Sequence, residues 1–182
     1  MNTRITTAAL LALSLSGLGM AAIPLAADPA APAATTAKAT EGDVIARGRY
    51  LVRTSGCNDC HTPQYPERGG NIPEHLWLTG SAVGFQGPWG TTYPVNLRLA
   101  VQGLDEQEWI ARARSPMRPP MPWFNLRDMN DGDLVAIYRY LRQLGPEGLP
   151  APAYVPPGQP VATPYIDFVP RNLPAQAQLS VH

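Results

Sequence analysis

Cys57-Asn58-Asp59-Cys60-His61 is the stretch from which the rest of the chain is read. Two cysteines close together can suggest a disulfide where the compartment is oxidising. Here the spacing and the following histidine point elsewhere. If the run is helical, Cys57 and Cys60 (i, i+3) share a face, and His61 (i, i+4) falls beside Cys57. Two thiols on that face can bond the two vinyl edges of one porphyrin, and the imidazole can ligate its iron. A Cys-x-x-Cys-His run therefore reads as a site of covalent haem c attachment, with His61 as the proximal iron ligand. A thioredoxin-like pair would need a βαβ context that the flanks lack. A structural zinc site would need about four ligands, and only His75, His182 and carboxylates remain to complete one. A plain disulfide leaves His61 unexplained.

Outward from the motif, helical periodicity brackets it. Thr40 with Asp43 three residues on forms a capping-box pattern, and Val44, Ile45, Leu51 and Val52 follow on one face. Gly48 lies inside this first helix. An interior glycine costs about 1 kcal/mol relative to alanine, so it signals close approach by another element. A second helix is predicted over 106–114, capped by Asp105 with Glu108 completing the box and Leu104 stapled to Trp109. Ser115-Pro116 ends it. A third is predicted over 131–144, with Leu134, Ile137, Tyr138, Leu141 and Leu144 as its apolar stripe and Gly145-Pro146 as its stop. Residues 62–103 are rich in Gly and Pro and read as loop. No strand alternation is visible, so the expected class is all-α. A loop that long needs a surface to wrap, and a haem supplies one.

The ends are of different composition. Arg4, the apolar run Ala8–Leu18 and the small residues after it form an export-signal pattern over 1–27, with cleavage after Ala27 or further along the run to Ala33. The competing reading is an uncleaved membrane anchor, since Thr6–Ala27 is close to the ~20 residues that span a bilayer. Residues 28–40 read as a flexible linker. Residues 41–145 form the domain that carries the chemistry, and 146–182 a proline-rich extension. The chain has 21 prolines, which crowd around Pro116–Pro122 and into this extension. The extension is too proline-rich for a helix. Its Tyr154, Tyr165, Ile166, Phe168 and Val169 are apolar enough to dock, and the domain itself is the expected surface. The formal net charge is zero, and no basic patch with interleaved aromatics occurs, which sets nucleic acid aside.

Three methionines beyond the signal region are candidates for a sixth iron ligand. Met129 reads as a hydrophobic staple onto Leu134. Met117 sits in Ser-Pro-Met-Arg-Pro. Met121 lies among Pro119, Pro120 and Pro122, whose fixed φ angles present a weak thioether ligand with little entropy left to lose. Met121 is the favoured ligand. Met117, His75 and an open site remain as alternatives. A Met ligand raises the haem potential relative to a second His and fills the coordination sphere.

ARGRYLVRTSGCNDCHTP (46–63), GPWGTTYPVNL (87–97) and PPMPWFNLRDMNDGDLVAIYRYLRQL (119–144) together resemble class I monohaem cytochromes c. The nearest likeness is to the cytochrome domains found with periplasmic alcohol dehydrogenases. The middle stretch departs from that pattern at Arg98, where a threonine is usual. The resemblance implies a class I cytochrome c fold with long haem-wrapping loops, whose first and last helices cross near perpendicular with Gly48 at the crossing, close to Tyr140 or Leu141. It supports Met121 as the sixth ligand. It makes Trp89, Tyr93 and Asn96 candidate contacts to the propionates or the haem edge. The early position of the motif argues against the four-helix-bundle cytochromes. The expected function is periplasmic electron transfer by one haem c with His61 and Met121 on the iron, as a soluble carrier or as the cytochrome subunit of a dehydrogenase. The expected partners are redox proteins, a dehydrogenase or an oxidase, and no catalytic residues are assigned. The alternative is a haem enzyme or gas sensor with a vacant or labile sixth site.

Overall fold

The computed structural model describes residues 39–172. The signal reading of 1–27, most of the linker reading and the last ten residues of the extension lie outside the described residues.

Helix α1 spans Glu41–Thr54 and begins as its capping box requires. The Thr40 hydroxyl accepts from the Asp43 amide at 3.2 Å, and the Asp43 carboxylate accepts from the Thr40 amide at 2.9 Å. The Thr40 hydroxyl and amide hold the Asp43 carboxyl below its ordinary range. A second helix, α2, is five residues long, Cys57–His61. Next comes a 3-10 turn at Glu74–Leu76, then a hairpin of β1 (Gly84–Gly87) and β2 (Gly90–Thr92). α3 (Leu97–Ala100) runs into a further 3-10 turn. α4 (Glu106–Arg114) carries the expected Asp105/Glu108 box. α5 (Trp123–Asp128) and α6 (Asp131–Leu144) complete the helices, and β3 (Tyr165–Asp167) closes the described chain.

The fold is mainly helical, as the periodicity predicts, with a three-stranded sheet added in the order β2-β1-β3. β1 pairs antiparallel with β2 and parallel with β3. None of these strands exceeds four residues and two contain glycine, so none leaves a period-2 signature. α5 is also new. It is six residues long and has no side-chain cap, since Pro122 occupies the N-cap.

α6 supplies most of the core. Leu134, Ala136, Ile137, Tyr138, Tyr140 and Leu141 are all buried, against Leu51 and Val52 of α1, Trp109 and Ala113 of α4, and Trp77, Leu78 and Val101 of the connecting segments. Buried polar groups in this core find partners. The Trp109 indole donates to the Leu134 carbonyl at 2.8 Å, and the Tyr138 hydroxyl donates to the Leu104 carbonyl at 2.8 Å. The Tyr140 hydroxyl donates to Glu74, which also accepts from Arg49. Burial raises the Tyr140 phenol above its ordinary value, and the Glu74 carboxylate pushes it the same way.

α1 and α6 meet at Gly48. A Cβ built there would lie 1.9 Å from the Ala136 carbonyl oxygen and 2.8 Å from the Tyr140 Cβ. The neighbour is backbone and cannot rotate away. This is the close approach that the interior glycine signals, at Ala136 and Tyr140 rather than Leu141. A bidentate Arg47–Asp133 pair, at 2.9 and 3.2 Å, ties the same two helices at the surface.

The departure at Arg98 has a structural account. Its side chain is 4% exposed, and its guanidinium donates to the carbonyls of Gly145 (2.6 Å), His75 (2.6 Å) and Leu144 (2.5 Å). It satisfies two orphan carbonyls at the C-terminus of α6, where a positive charge also complements the helix dipole. A threonine is too short to reach both.

The extension packs on the domain. Thr91 and Val155 exchange backbone hydrogen bonds at 2.8 and 3.0 Å. The Gly84 amide donates to the Pro164 carbonyl at 2.8 Å, and the Phe168 amide to the Gln86 carbonyl at 2.7 Å. Phe168 stacks edge-on to Phe85.

Gly48→Ala sets a helix-propensity gain of about 1 kcal/mol against overpacking that typically costs 1–3 kcal/mol, here against unyielding backbone. We expect a net loss of up to about 2 kcal/mol in chemical denaturation, the full overpacking cost less the propensity gain. Gly42→Ala on the same helix, whose Cβ would meet only the Thr40 hydroxyl at 3.7 Å, should cost nothing.

Candidate functional site

α2 follows α1 after two residues. Ser55 ends α1, and Gly56, at φ 74°, turns the chain into the next helix. That left-handed conformation favours glycine. Cys57, Cys60 and His61 therefore lie on one short helix whose direction is set by the end of α1, as the spacing requires.

Both cysteines are free and half-buried. Burial pushes the Cys57 thiol up to about 11, and Asp59 and Cys60 add to the effect. Burial also raises Cys60, again helped by Asp59. At neutral pH both are protonated thiols. A redox-active Cys-x-x-Cys pair lowers the pKa of one cysteine instead.

His61 is 8% exposed. Its Nδ1 lies 2.8 Å from the Val95 carbonyl oxygen. A carbonyl can only accept, so Nδ1 carries the proton and donates. Burial holds the imidazole pKa below its ordinary value, the Val95 contact opposing it more weakly, so the ring is neutral at physiological pH. Nε2 then keeps its lone pair, and the hydrogen bond of the ring among the described residues is made through Nδ1. A ring nitrogen oriented through its opposite N–H is the usual arrangement of a metal-binding histidine.

The support behind α2 is buried. The Thr62 hydroxyl donates to the Asn58 side-chain oxygen at 2.8 Å and accepts from the Leu78 amide at 2.8 Å. The Gly80 amide donates to the His61 carbonyl at 2.8 Å, and the Leu97 amide to the Leu78 carbonyl at 3.0 Å. These bonds fix segment 78–80 between α2 and segment 94–97, which brings the Val95 carbonyl to the imidazole. Gly80, at φ 82°, permits the approach, because a Cβ there would lie 2.7 Å from the Asn96 amide. Sequence reading misses Val95 because a backbone carbonyl has no residue-type signature.

Met121 is half-buried in a turn. Its amide donates to the Arg118 carbonyl at 3.3 Å, and the Trp123 amide donates to the Met121 carbonyl at 2.8 Å. The Thr92 hydroxyl donates to the Pro119 carbonyl at 2.6 Å, tying the loop to β2. Met117 is half-buried in the segment just before. Met129 is partly buried and packs against the core cluster of which Leu134 is a member. His75 is exposed, and its carbonyl serves Arg98. The polar ends of Trp89, Tyr93 and Asn96 are occupied within the loops. Trp89 donates to the Phe85 carbonyl, Tyr93 bonds the Thr163 hydroxyl, and Asn96 donates to the Glu147 and Leu149 carbonyls.

The donor set suits a porphyrin. Among the described residues no three His, Cys, Asp or Glu side chains converge as a site for a single metal ion, Cys57, Cys60 and His61 included. A haem takes its bonds at separated points, two vinyl carbons and the iron. Two neutral thiols and one neutral imidazole on a single helix, not focused on one point, match that demand.

The chain is similar to proteins that work in dehydrogenases. It is 31% identical over 121 residues to the gluconate 2-dehydrogenase cytochrome c subunit of Pantoea cypripedii, a match covering 59% of this chain and 27% of that protein. It is 26% identical over 121 residues to a nicotinate dehydrogenase subunit of Pseudomonas putida, covering 60% of this chain and 9% of that protein. The match thus takes in about a quarter or less of either relative's length. No family model matches the chain, and no solved structure matches it.

Thr62→Val removes both bonds behind α2 and leaves the Leu78 amide buried without a partner, a loss of about 2–3 kcal/mol. Urea denaturation of this variant should show that loss. Thr79→Val, which loses one weaker bond to the Leu76 carbonyl, should cost under about 1 kcal/mol.

Proposed function

We propose that this chain carries electrons through one haem c attached at Cys57 and Cys60, with His61 and Met121 as the iron ligands. The observation that carries the reading is the state of His61: its Nδ1 donates to the Val95 carbonyl, leaving Nε2 unprotonated and, among the described residues, unpartnered on the same helix as two free thiols. When bound, the haem supplies a one-electron couple. The chain's residues anchor and orient it. The thiols hold the macrocycle, His61 is fixed in tautomer and plane, and the Thr62–Asn58–Leu78 bonds keep α2 from shifting. Met121 is the sixth ligand because its loop is tied down at both the Arg118 turn and Pro119.

The working context is a dehydrogenase complex in the periplasm, with the chain as its cytochrome subunit or as a separate carrier. The similarity to a dehydrogenase cytochrome c subunit supports that context. The export-signal pattern of residues 1–27 supports the compartment. The described residues contain no helix long and apolar enough to cross a membrane.

The matured protein should keep its haem through denaturation and extraction, and should cycle between ferric and ferrous states. Its oxidised spectrum should show the weak far-red sulfur-to-iron band. That band should vanish in Met121→Ala and persist in Met117→Ala. A wild type without the band, binding carbon monoxide rapidly when reduced, would replace this reading with that of a haem enzyme or gas sensor.

A further inference from the structure

The extension does more than cover the domain. At Tyr154 it touches two segments that are far apart in the chain. The Tyr154 hydroxyl donates to the Trp89 carbonyl at 2.7 Å, in the turn of the β1–β2 hairpin. The Arg118 guanidinium lies over the Tyr154 ring, 4.0 Å from its centre. Arg118 is the residue whose carbonyl receives the Met121 amide. The neighbouring Val155 exchanges both of its backbone bonds with Thr91, so the tyrosine is held at its base as well. The hairpin is shaped for this contact. Gly90 sits at φ 93°, and a Cβ there would lie 2.4 Å from the Val155 carbonyl and 3.0 Å from the Tyr154 hydroxyl. A glycine in the turn thus serves both the backbone conformation and the passage of the extension.

We propose that Tyr154 is a positioning residue that pins the Arg118–Met121 loop to the β1–β2 hairpin and so fixes where Met121 presents its sulfur. The inference deepens the reading of Met121 as sixth ligand and rests on it. Two links hold the loop to the hairpin, one direct through Thr92 and Pro119, the other through Tyr154. The second uses a π-face on a guanidinium and a hydroxyl on a carbonyl. Losing both amounts to roughly a tenfold change in the equilibrium that keeps the loop seated.

The test uses the full-length matured protein and two readouts. The first is amide hydrogen exchange over residues 115–123. Tyr154→Leu should speed it about tenfold while leaving α6 protection unchanged. The second is the affinity of the ferric protein for added imidazole, which competes with the sixth ligand. Tyr154→Leu should raise it about tenfold, with Tyr154→Phe, which keeps the ring over Arg118, in between. Thr163→Ala, which removes the 2.6 Å bond between the Thr163 and Tyr93 hydroxyls, loosens the extension away from Trp89 and Arg118 and should lower the melting temperature without moving either readout. Unchanged exchange in Tyr154→Leu overturns the proposal. So does faster exchange with unchanged imidazole affinity, or an equal effect from Thr163→Ala. A failure of the ligand reading itself looks different: the wild type lacks the far-red band, and the exchange data alone then decide whether the clamp exists.

Discussion

Gly48 lets the backbones of α1 and α6 touch, and the rest of the domain takes its position from that contact. α2 leaves the end of α1 after only two residues, so the placing of Cys57, Cys60 and His61 is inherited from α1. α6 fixes the other side. Its C-terminal carbonyls hold the buried Arg98, and Arg98 belongs to the short helix that begins just after Val95 and Asn96. The carbonyl that orients His61 is therefore referred back to the same helix pair from the opposite direction. A shift at the crossing would move both ends of the His61–Val95 bond.

The site is held mostly by backbone. The imidazole is set by a carbonyl, the hairpin meets the extension through backbone amides and carbonyls, and the buried guanidinium of Arg98 serves three carbonyls. Charged side chains pair with one another at the surface instead, as Arg47 does with Asp133 and Arg139 with Glu41 and Glu106. Such exposed pairs add little stability each, about 1 kcal/mol or less. Orientation that comes from the main chain is insensitive to pH and salt, which suits a site meant to hold one geometry.

What can be read in the sequence follows from where side chains carry the information. The three long helices announce themselves through caps and periodicity, and Thr40, Asp105 and Gly145 all stand at the ends where those patterns put them. Gly48 is legible as a close approach because a helix-interior glycine has a cost that something must offset. Cys57, Cys60 and His61 are legible through spacing alone. The sheet is not, because three- and four-residue strands give no alternation. Val95 is not, because its contribution is a carbonyl. Arg98 is visible only as a departure, and its meaning needs the end of α6 beside it. Trp89, Tyr93 and Asn96 carry polar groups that suit an outside ligand, yet the protein uses them on its own loops.

β3 lies at the outer side of the sheet, with Tyr165, Ile166 and Phe168 exposed around it. Among the described residues this edge is unpaired, and an unpaired apolar edge is a template on which other chains can stack. Here the strand is three residues long, and Pro164 and Pro170 flank it. Proline has no amide hydrogen to give, so an incoming strand finds a ladder that soon stops in each direction. Asp167 adds a charge at the end of that strand. The prolines that make the extension look structureless in sequence thus act as gatekeepers against aggregation, keeping an exposed aromatic strand from recruiting its own kind.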